Sequence, residues 1–214
     1  MNDKELRDAV LTAWTPKNAA HARDLIGHLG WDASAEEHLK WLFGACPVCE
    51  TAIAKARVVL EIGCGAGRIL KPLAGVFPRV VGVDISQQML DLAKVRLAGL
   101  KNVDLRLVVV DSYPVSSGSV DIAYSTIVFQ HMPSRAVVVG ALAEAKRVLR
   151  RGGLLRVQTH VGQPPVAGEY RGVVGYFYPS ARAFADEIAE VGLKIVSAVQ
   201  LDRPPWIWVT ARKS

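Results

Sequence analysis

The residues whose types and spacing most clearly predict chemistry are a carboxylate and three glycines between positions 61 and 67. They form the segment Glu61-Ile-Gly63-Cys-Gly65-Ala-Gly67, directly after a β-branched run. Glycines let the backbone approach a ligand closely, and the start of a following helix attracts negative charge. A dinucleotide-binding loop is spaced G-x-G-x-x-G and usually has no carboxylate just before it. Because Glu61 would repel two phosphates and attract an ammonium group, the loop favours a cationic nucleoside over NAD.

Polar side chains also end the next two apolar runs. Asp84 ends the second run, where a carboxylate can accept two hydrogen bonds from ribose hydroxyls. Asp111 and Ser112 end the third run, where they are placed to accept from an adenine amino group. A glycine loop alone is a weak signal, whereas these features in order at successive strand ends form a specific one. They predict a nucleoside site at one edge of a parallel sheet.

Alternating strands and helices after residue 57 are the elements that must bring these side chains together. Apolar runs predict strands over residues 58–62, 79–84, 103–110, 120–126 and 154–160. Helices are predicted over residues 67–75, 86–97, 134–149 and 180–191. Two last strands, 193–201 and 206–211, are joined by so short a turn that they must be antiparallel. This alternation predicts an α/β fold with a doubly wound, mostly parallel sheet.

The N-terminal segment has a different pattern, which is helical throughout. Helices are predicted over residues 3–13 and 18–29, and a third begins at Ser34, where Glu37 completes a capping box. We therefore expect two parts, an N-terminal helical cap over residues 1–56 and a nucleoside-binding domain over residues 57–214.

The composition limits the class of protein. Of the 214 residues, 50% are apolar and 21% are charged, which is enough for a globular core and excludes a disordered chain. No apolar run approaches the roughly 20 residues that span a bilayer, and the first residues lack the apolar stretch of a secretory signal. A cytoplasmic protein without a membrane segment is the expectation. The net charge of +6 is spread along the chain, which favours a solvated surface over a nucleic-acid partner.

Taken together, the motifs resemble those of the class I S-adenosylmethionine-dependent methyltransferases. The matching segments are Val59-Leu-Glu-Ile-Gly-Cys-Gly-Ala-Gly67, Val81-Gly-Val-Asp-Ile-Ser86, Asp111-Ser112, Ser119-Val-Asp-Ile-Ala-Tyr-Ser125 and Arg147-Val-Leu-Arg-Arg-Gly-Gly-Leu154. Arg151 stands where proline is common in the family. The resemblance covers roughly residues 57 to 212. It implies a Rossmann-like, seven-stranded sheet whose last strand is antiparallel, and S-adenosyl-L-methionine as the cofactor.

The resemblance also implies a role for each matching residue. Gly63, Gly65 and Gly67 would shape the loop around the methionine part, with Cys64 between them. The other implied cofactor contacts are Glu61 on the amino group, Asp84 on the ribose, Ile85 and Met89 against the adenine, Asp111 with Ser112 on the adenine amine, and Ser125 near the methionine part.

The loop after the fourth strand is where we look for the methyl acceptor. Methyl transfer needs an aligned acceptor, exclusion of water and, for some acceptors, removal of a proton. His131 lies in this loop, and histidine commonly titrates near neutral pH, so His131 is the candidate catalytic base. Substrate positioning or local packing are the alternative roles. The candidate substrate contacts are Trp41, Gln130, His160, Tyr170 and Tyr176.

Two segments are candidates for the walls of an acceptor pocket. Residues 161–178 combine glycines with aromatic residues, which suits either a lid or a surface loop pinned by buried rings. The N-terminal helices could contribute Trp31, His38 and Trp41, for which packing in the core is the alternative.

Cys46 and Cys49 form a C-x-x-C pair, which is typical of a zinc half-site or a redox pair. Because the chain has no second pair, we expect two inert thiols, with redox sensitivity and metal binding as alternatives. The resemblance implies no metal site, since metal-dependent catechol-type methyltransferases place a carboxylate in this region and none lies between Asp121 and Glu144. Ligands from Glu169 and His160 are the alternative.

The sequence thus predicts an enzyme that methylates a small molecule, with a hydroxyl oxygen of a sugar or natural product favoured. The absence of an Asp/Asn-Pro-Pro-Tyr/Phe segment counts against amino groups of DNA bases and glutamine. Methylation of RNA or protein, a dehydrogenase, and a protein that only binds the nucleoside are the alternatives.

Overall fold

A seven-stranded sheet forms the centre of the computed structural model, which describes residues 3–17, 20–21, 34–44, 46–109, 112–162, 175–200 and 206–214. The strands are β1 (Val58–Ile62), β2 (Arg79–Asp84), β3 (Val103–Leu107), β4 (Val120–Ser125), β5 (Leu149–His160), β6 (Lys194–Gln200) and β7 (Trp206–Arg212). Their order across the sheet is β3-β2-β1-β4-β5-β7-β6. The first five strands pair in parallel, whereas β7 is antiparallel to both β5 and β6. The predicted fold class is confirmed.

Seven α-helices are described around the sheet or at its edge. They are α1 (Asp3–Trp14), α2 (Ala35–Phe43), α3 (Pro47–Ile53), α4 (Leu70–Leu73), α5 (Gln87–Arg96), α6 (Arg135–Val148) and α7 (Ala181–Glu190). A 3₁₀ turn, Phe129–His131, lies between β4 and α6. The helix predicted over residues 18–29 lies almost entirely outside the described residues.

Serine side chains fix the starts of four of these helices. Ser34, Ser86, Ser134 and Ser180 each accept a hydrogen bond from the backbone N–H three residues later, which satisfies a donor that the helix leaves unpaired. At Ser34 the Glu37 side chain also returns to the cap backbone, so the capping box is formed as predicted.

Three element boundaries differ from the prediction by three residues or more, and one helix was not predicted. β3 ends at Leu107 rather than at residue 110. α4 begins at Leu70 rather than at residue 67, because Gly67 has a φ of 74° and cannot start a right-handed helix. β5 begins at Leu149, since Leu149 already pairs with Val120 ahead of a register shift. α3, which was not predicted, has Pro47 at its first helical position, where proline favours the start of a helix.

Apolar side chains cover both faces of the sheet. On one face α6 and α7 bury Leu142 and Phe184 against the strands. On the other face α2, α3, α4 and α5 form a second cluster, which includes Phe43 and Leu70. Each such side chain contributes about 1.5–3 kcal/mol when fully buried. Coverage on both sides explains why the strands are nearly continuous apolar runs.

α1 lies apart from both clusters, at the carboxyl edge of the sheet. Its Trp14 packs against Ala66 and Met89, which belong to the segments after β1 and β2. The hydroxyl of Thr15, one residue past the helix, lies 3.4 Å from that of Ser86. The first helix is therefore tied to the loops that were predicted to bind the nucleoside.

A disulfide joins Cys46 and Cys49, whose side chains are buried at the start of α3. The expectation of two inert thiols is wrong, because the helix start brings the two Cα atoms within 5.3 Å. In the described part of the chain, no three His, Cys, Asp or Glu side chains are grouped as ligands for a metal ion. None of the described helices is both long enough and apolar enough to span a bilayer.

Candidate functional site

A cavity of about 360 Å³ lies at the carboxyl edge of the parallel strands, where ligands of open α/β sheets bind. Its walls come from the loops after β1, β2, β3 and β4, from α6 and from α1. Apolar side chains predominate, and the volume is within the range of small-molecule sites. The predicted site residues on its wall are Glu61, Gly63, Cys64, Gly65, Asp84, Ile85, Met89 and His131.

The glycine loop forms one side of this cavity. Gly63, Gly65 and Gly67 have φ values of 74°, 50° and 74°, which L side chains rarely adopt. A Cβ atom at Gly63 would lie 2.4 Å from a methyl group of Val128 across the cavity wall. Gly67 does not line the cavity, and a Cβ there would lie 2.7 Å from Leu97 at the end of α5. Gly67 therefore serves loop-to-helix packing, which differs from its predicted contact with a ligand.

Asp84 holds the glycine loop in place. One carboxylate oxygen accepts from the backbone N–H of Gly65 at 2.8 Å, and the other accepts from that of Ser86 at 2.9 Å. Burial raises the pKa of Asp84, while these backbone donors oppose the rise. A carboxylate has about four acceptor positions, so the two bonds leave capacity for ligand hydroxyls. The bond to the loop is a role that the sequence analysis did not predict.

Glu61 is a carboxylate held almost entirely out of water, at 3% exposure. Burial raises the pKa of Glu61 to about 8, and the nearby charge of Arg68 opposes that rise. The hydroxyl of Tyr124 donates to the Glu61 carboxylate at 3.1 Å. A positively charged group in the cavity would therefore strongly favour the ionised form of Glu61.

Arg68 follows the glycine loop directly and also lines the cavity. Its guanidinium donates to Nε2 of His38 at 3.2 Å, and Nδ1 of His38 lies 2.9 Å from the carbonyl oxygen of Ser34. The two contacts together require an imidazole with its proton on Nδ1. His38 thus supports Arg68 and is absent from the cavity wall on which it was a candidate. Arg68 itself was not predicted, although its place next to the third glycine was a usable signal.

Besides Gly67, two further predicted cofactor contacts lie off the cavity wall. Ser112 is exposed, and its hydroxyl donates to Glu144 at 3.3 Å. Ser125 is fully buried, and its hydroxyl donates to the carbonyl oxygen of Ile62 at 2.9 Å. Their neighbours Tyr113 and Thr126 line the cavity instead. The end of β4 was located to within one residue, whereas β3 ends at Leu107 rather than at residue 110. In both segments the residue that lines the cavity is the neighbour of the predicted one. Asp111 lies outside the described residues.

The backbone is strained where the loop after β4 enters the cavity. Ile127 lines the cavity with a φ of 57°, a conformation that is rare for a β-branched residue. Such strain is commonly found at functional sites, where the surrounding structure maintains it.

His131 lies on the cavity wall beside a residue of α1. Its ring centroid is 4.5 Å from that of Trp14, and its Nε2 is 3.4 Å from the amide nitrogen of Gln130. The indole N–H of Trp14 is buried, and no acceptor for it is found among the described residues. Asp8 and Leu11 of the same helix also line the cavity. A wall from the N-terminal helices was predicted, but with Trp31, His38 and Trp41 as its residues. The residues of α1 were not predicted, because sequence pattern does not determine where a terminal helix docks.

The remaining candidate substrate contacts lie away from the cavity. Trp41 packs edge-on against Trp208 at 5.6 Å between ring centroids, as core packing predicts. His160 packs against Trp206 at 5.1 Å, and burial lowers its pKa. Gln130 is buried behind His131, and its side-chain oxygen has no partner in the described ranges.

Only part of the predicted lid is described. Tyr176 contacts Tyr178 at 5.1 Å, and its backbone N–H donates to the carbonyl oxygen of Met132 at 2.7 Å. This end of the lid segment is thus bonded next to a residue of the cavity wall. Trp31, Glu169 and Tyr170 lie outside the described residues.

Comparison with known proteins finds similarity over the central part of the chain. Residues 60–157 match the family model described as a methyltransferase domain. The "uncharacterized 37.1 kDa protein in transposon TN4556" of Streptomyces fradiae is 43% identical over 99 residues, which are 45% of this chain and 28% of that protein. The ubiquinone biosynthesis O-methyltransferase of Thiobacillus denitrificans is 30% identical over 139 residues, which are 60% of this chain and 56% of that protein. The chain therefore spans less than two thirds of the length of either relative.

A solved structure supports the same fold. The S-adenosylmethionine-dependent methyltransferase of Mesorhizobium loti superposes with a TM-score of 0.66 at 19% identity, covering 86% of this chain and 100% of that one. At this identity the likeness shows the architecture, which agrees with the strand order and the reversed last strand.

Proposed function

We propose that this chain, whose residues 60–157 match the methyltransferase domain model, is a class I S-adenosylmethionine-dependent methyltransferase that transfers the methyl group to a hydroxyl oxygen of a small molecule. The observation that carries this proposal is the buried carboxylate of Glu61 on the wall of a cavity formed by a positive-φ glycine loop. A buried carboxylate is costly unless a cation accompanies it, so the wall complements a ligand with a cationic end.

The residues on the wall fit this cofactor. Glu61 would accept hydrogen bonds from the ammonium group, and Asp84 would accept from the ribose with the positions that the loop leaves unused. Ile85 and Met89 would cover the adenine, since both line the cavity near the end of β2. At Gly63 only bare backbone fits beside Val128, so a glycine is needed where the loop passes the segment after β4.

When bound, S-adenosylmethionine supplies a methyl group that its sulfonium already activates. The chain itself must align the acceptor, exclude water and remove a proton. His131 is the candidate base, because a ring nitrogen on the cavity wall can accept the proton of an acceptor hydroxyl. Trp14 and Leu11 of α1 cover the cavity beside His131 and would keep water from the reacting atoms.

A small hydroxylated molecule, such as a sugar or a natural product, is the acceptor class we propose. The cavity must hold the cofactor as well, so a volume of about 360 Å³ favours a compact acceptor. The Thiobacillus denitrificans relative is named an O-methyltransferase, which agrees with an oxygen acceptor.

A screen of hydroxylated metabolites for release of S-adenosylhomocysteine tests the proposed function. We expect release with at least one hydroxylated compound, and loss of the signal when that hydroxyl is replaced by hydrogen. Release only with RNA or protein would contradict the small-molecule acceptor. Binding of S-adenosylhomocysteine without turnover of any acceptor would contradict an enzyme.

A further inference from the structure

The cavity wall carries one guanidinium among several carboxylates. Arg68 is 5% exposed and is the only arginine or lysine among the described residues that line the cavity. Asp8, Glu61 and Asp84 on the same wall are acidic. Arg68 would therefore attract an anionic group of a ligand, whereas the three carboxylates would repel it.

Glu61 and Arg68 flank the glycine loop, one on each side. Glu61 is the fourth residue of β1, and Arg68 follows Gly67. Each charge is also held by a neutral partner, since Tyr124 donates to Glu61 and His38 accepts from Arg68. Two opposite charges fixed on one wall match an α-amino acid group, which carries an ammonium and a carboxylate on a single carbon.

We infer that Arg68 binds the α-carboxylate of the cofactor's methionine part, and that His38 is the positioning residue that orients the guanidinium. The inference rests on the proposed function, because it assigns a group of that cofactor to a residue of the same cavity. Guanidinium and carboxylate form charge-assisted hydrogen bonds, which are stronger than neutral ones and still stronger in a buried site.

His38 acts through its ring geometry. The carbonyl oxygen of Ser34 takes the Nδ1 proton, which leaves Nε2 as an acceptor facing Arg68. Ser34 is the cap of α2 and is itself fixed by the Glu37 capping box. The orientation of Arg68 therefore depends on the start of α2, a helix that packs on the sheet rather than on the cavity.

The wild-type protein provides the first test, which depends on no variant. Calorimetry would compare S-adenosylhomocysteine with its decarboxylated analogue, which lacks only the carboxylate. We expect the decarboxylated analogue to bind about ten- to a hundredfold more weakly, the range of a hydrogen bond between charged groups. Equal affinity for the two ligands would overturn the inference. Failure of wild-type protein to bind S-adenosylhomocysteine at all would instead contradict the proposed function.

Variants then assign the effect to Arg68 and His38. We expect Arg68→Gln to weaken S-adenosylhomocysteine about ten- to a hundredfold and the decarboxylated analogue less than about threefold. His38→Ala should reduce the preference for the carboxylated ligand in part. His38→Gln should largely restore it, because a glutamine can donate to Ser34 and accept from Arg68 at once. The matched control is Arg182→Gln, an exposed arginine paired with Asp186, which should change neither affinity.

A structural role for Arg68 gives a different result. If Arg68 only balances the charge of Glu61, its replacement weakens both ligands equally and leaves their ratio at the wild-type value. That outcome would overturn the inference, as would a His38→Gln variant no better than His38→Ala.

Discussion

Glu61 is a residue whose charge depends on its burial in the cavity wall. Burial raises its pKa to about 8, so near neutral pH the folded protein without ligand holds a proton that the unfolded chain releases at about 4.5. Stability from this group is full below pH 4.5 and declines as pH rises towards 8, by up to about 1.4 kcal/mol per pH unit. The ionised form of Glu61 suits an ammonium group, but it lowers the stability of the folded protein when no such group is bound.

Replacing Glu61 by glutamine tests this charge. Glu61→Gln imitates the protonated form, so the melting temperature of the variant relative to wild type should rise as pH increases from about 5 to 8. The same variant should bind S-adenosylhomocysteine at least about tenfold more weakly, because a charge-assisted hydrogen bond is lost. Thermal melts and calorimetry at several pH values check both results. A melting difference that is independent of pH would argue against a buried, proton-binding Glu61.

His131 is the residue on which the proposed chemistry depends. His131→Ala should reduce turnover of an identified acceptor by about a hundredfold or more, while leaving the affinity for S-adenosylhomocysteine within about threefold. His160→Ala is the matched control, since His160 is a partly buried histidine at the end of the neighbouring strand and lies off the cavity wall. Equal loss in both variants, or none in His131→Ala, would remove His131 from the mechanism.

At the residue scale, sequence reasoning found the side chains that local motifs fix. Glu61 and Asp84 could be predicted because the glycine loop and the strand ends determine where they lie. Ser125 could not be assigned correctly, because a shift of one residue along a strand changes the face on which a side chain lies. Trp14 and Arg68 were missed, since their contacts come from helix docking and from the path of the loop.

At the scale of elements, α1 is the part that closes the cavity. Trp14 lies across the segments that follow β1 and β2, and Thr15 is within hydrogen-bond distance of Ser86. Among the described residues, none of α1 belongs to either apolar cluster beside the sheet. Movement of α1 is therefore the expected route by which a ligand enters and leaves.

Shortening Trp14 tests that route. Trp14→Ala should accelerate dissociation of S-adenosylhomocysteine about five- to thirtyfold, because about 1–2 kcal/mol of partly buried apolar contact is lost. Stopped-flow fluorescence or surface plasmon resonance would measure the rate. Trp41→Ala is the control, since Trp41 packs on Trp208 away from the cavity and should lower stability without changing the dissociation rate. Similar rates in wild type and Trp14→Ala would contradict a closing role for α1.

The prediction of elements succeeded where burial imposed a regular pattern. Strands β1 and β2 are covered on both faces, so the first and last residues of their apolar runs coincide with the ends of the strands. The start of α4 was misplaced, because a loop with left-handed glycines delays the helix beyond the third glycine. α3 was missed, since a seven-residue helix gives little periodicity.

At the scale of the whole molecule, one edge of one sheet carries the proposed chemistry. The parallel strands end together, so the loop after β1 contributes Glu61, the end of β2 contributes Asp84, and the loop after β4 contributes His131. The division into a cap over residues 1–56 and a methyltransferase domain over residues 57–214 stays a prediction. In the structure α2 and α3 share a core cluster with the sheet, whereas α1 covers the cavity.

Calorimetry with S-adenosylhomocysteine and with NAD is the most direct measurement of the central claim, that this cavity binds the nucleoside of S-adenosylmethionine. We predict one site with micromolar affinity for S-adenosylhomocysteine, abolished or strongly weakened by Asp84→Ala, and no measurable heat with NAD. Tight binding of NAD with no binding of S-adenosylhomocysteine would contradict the claim.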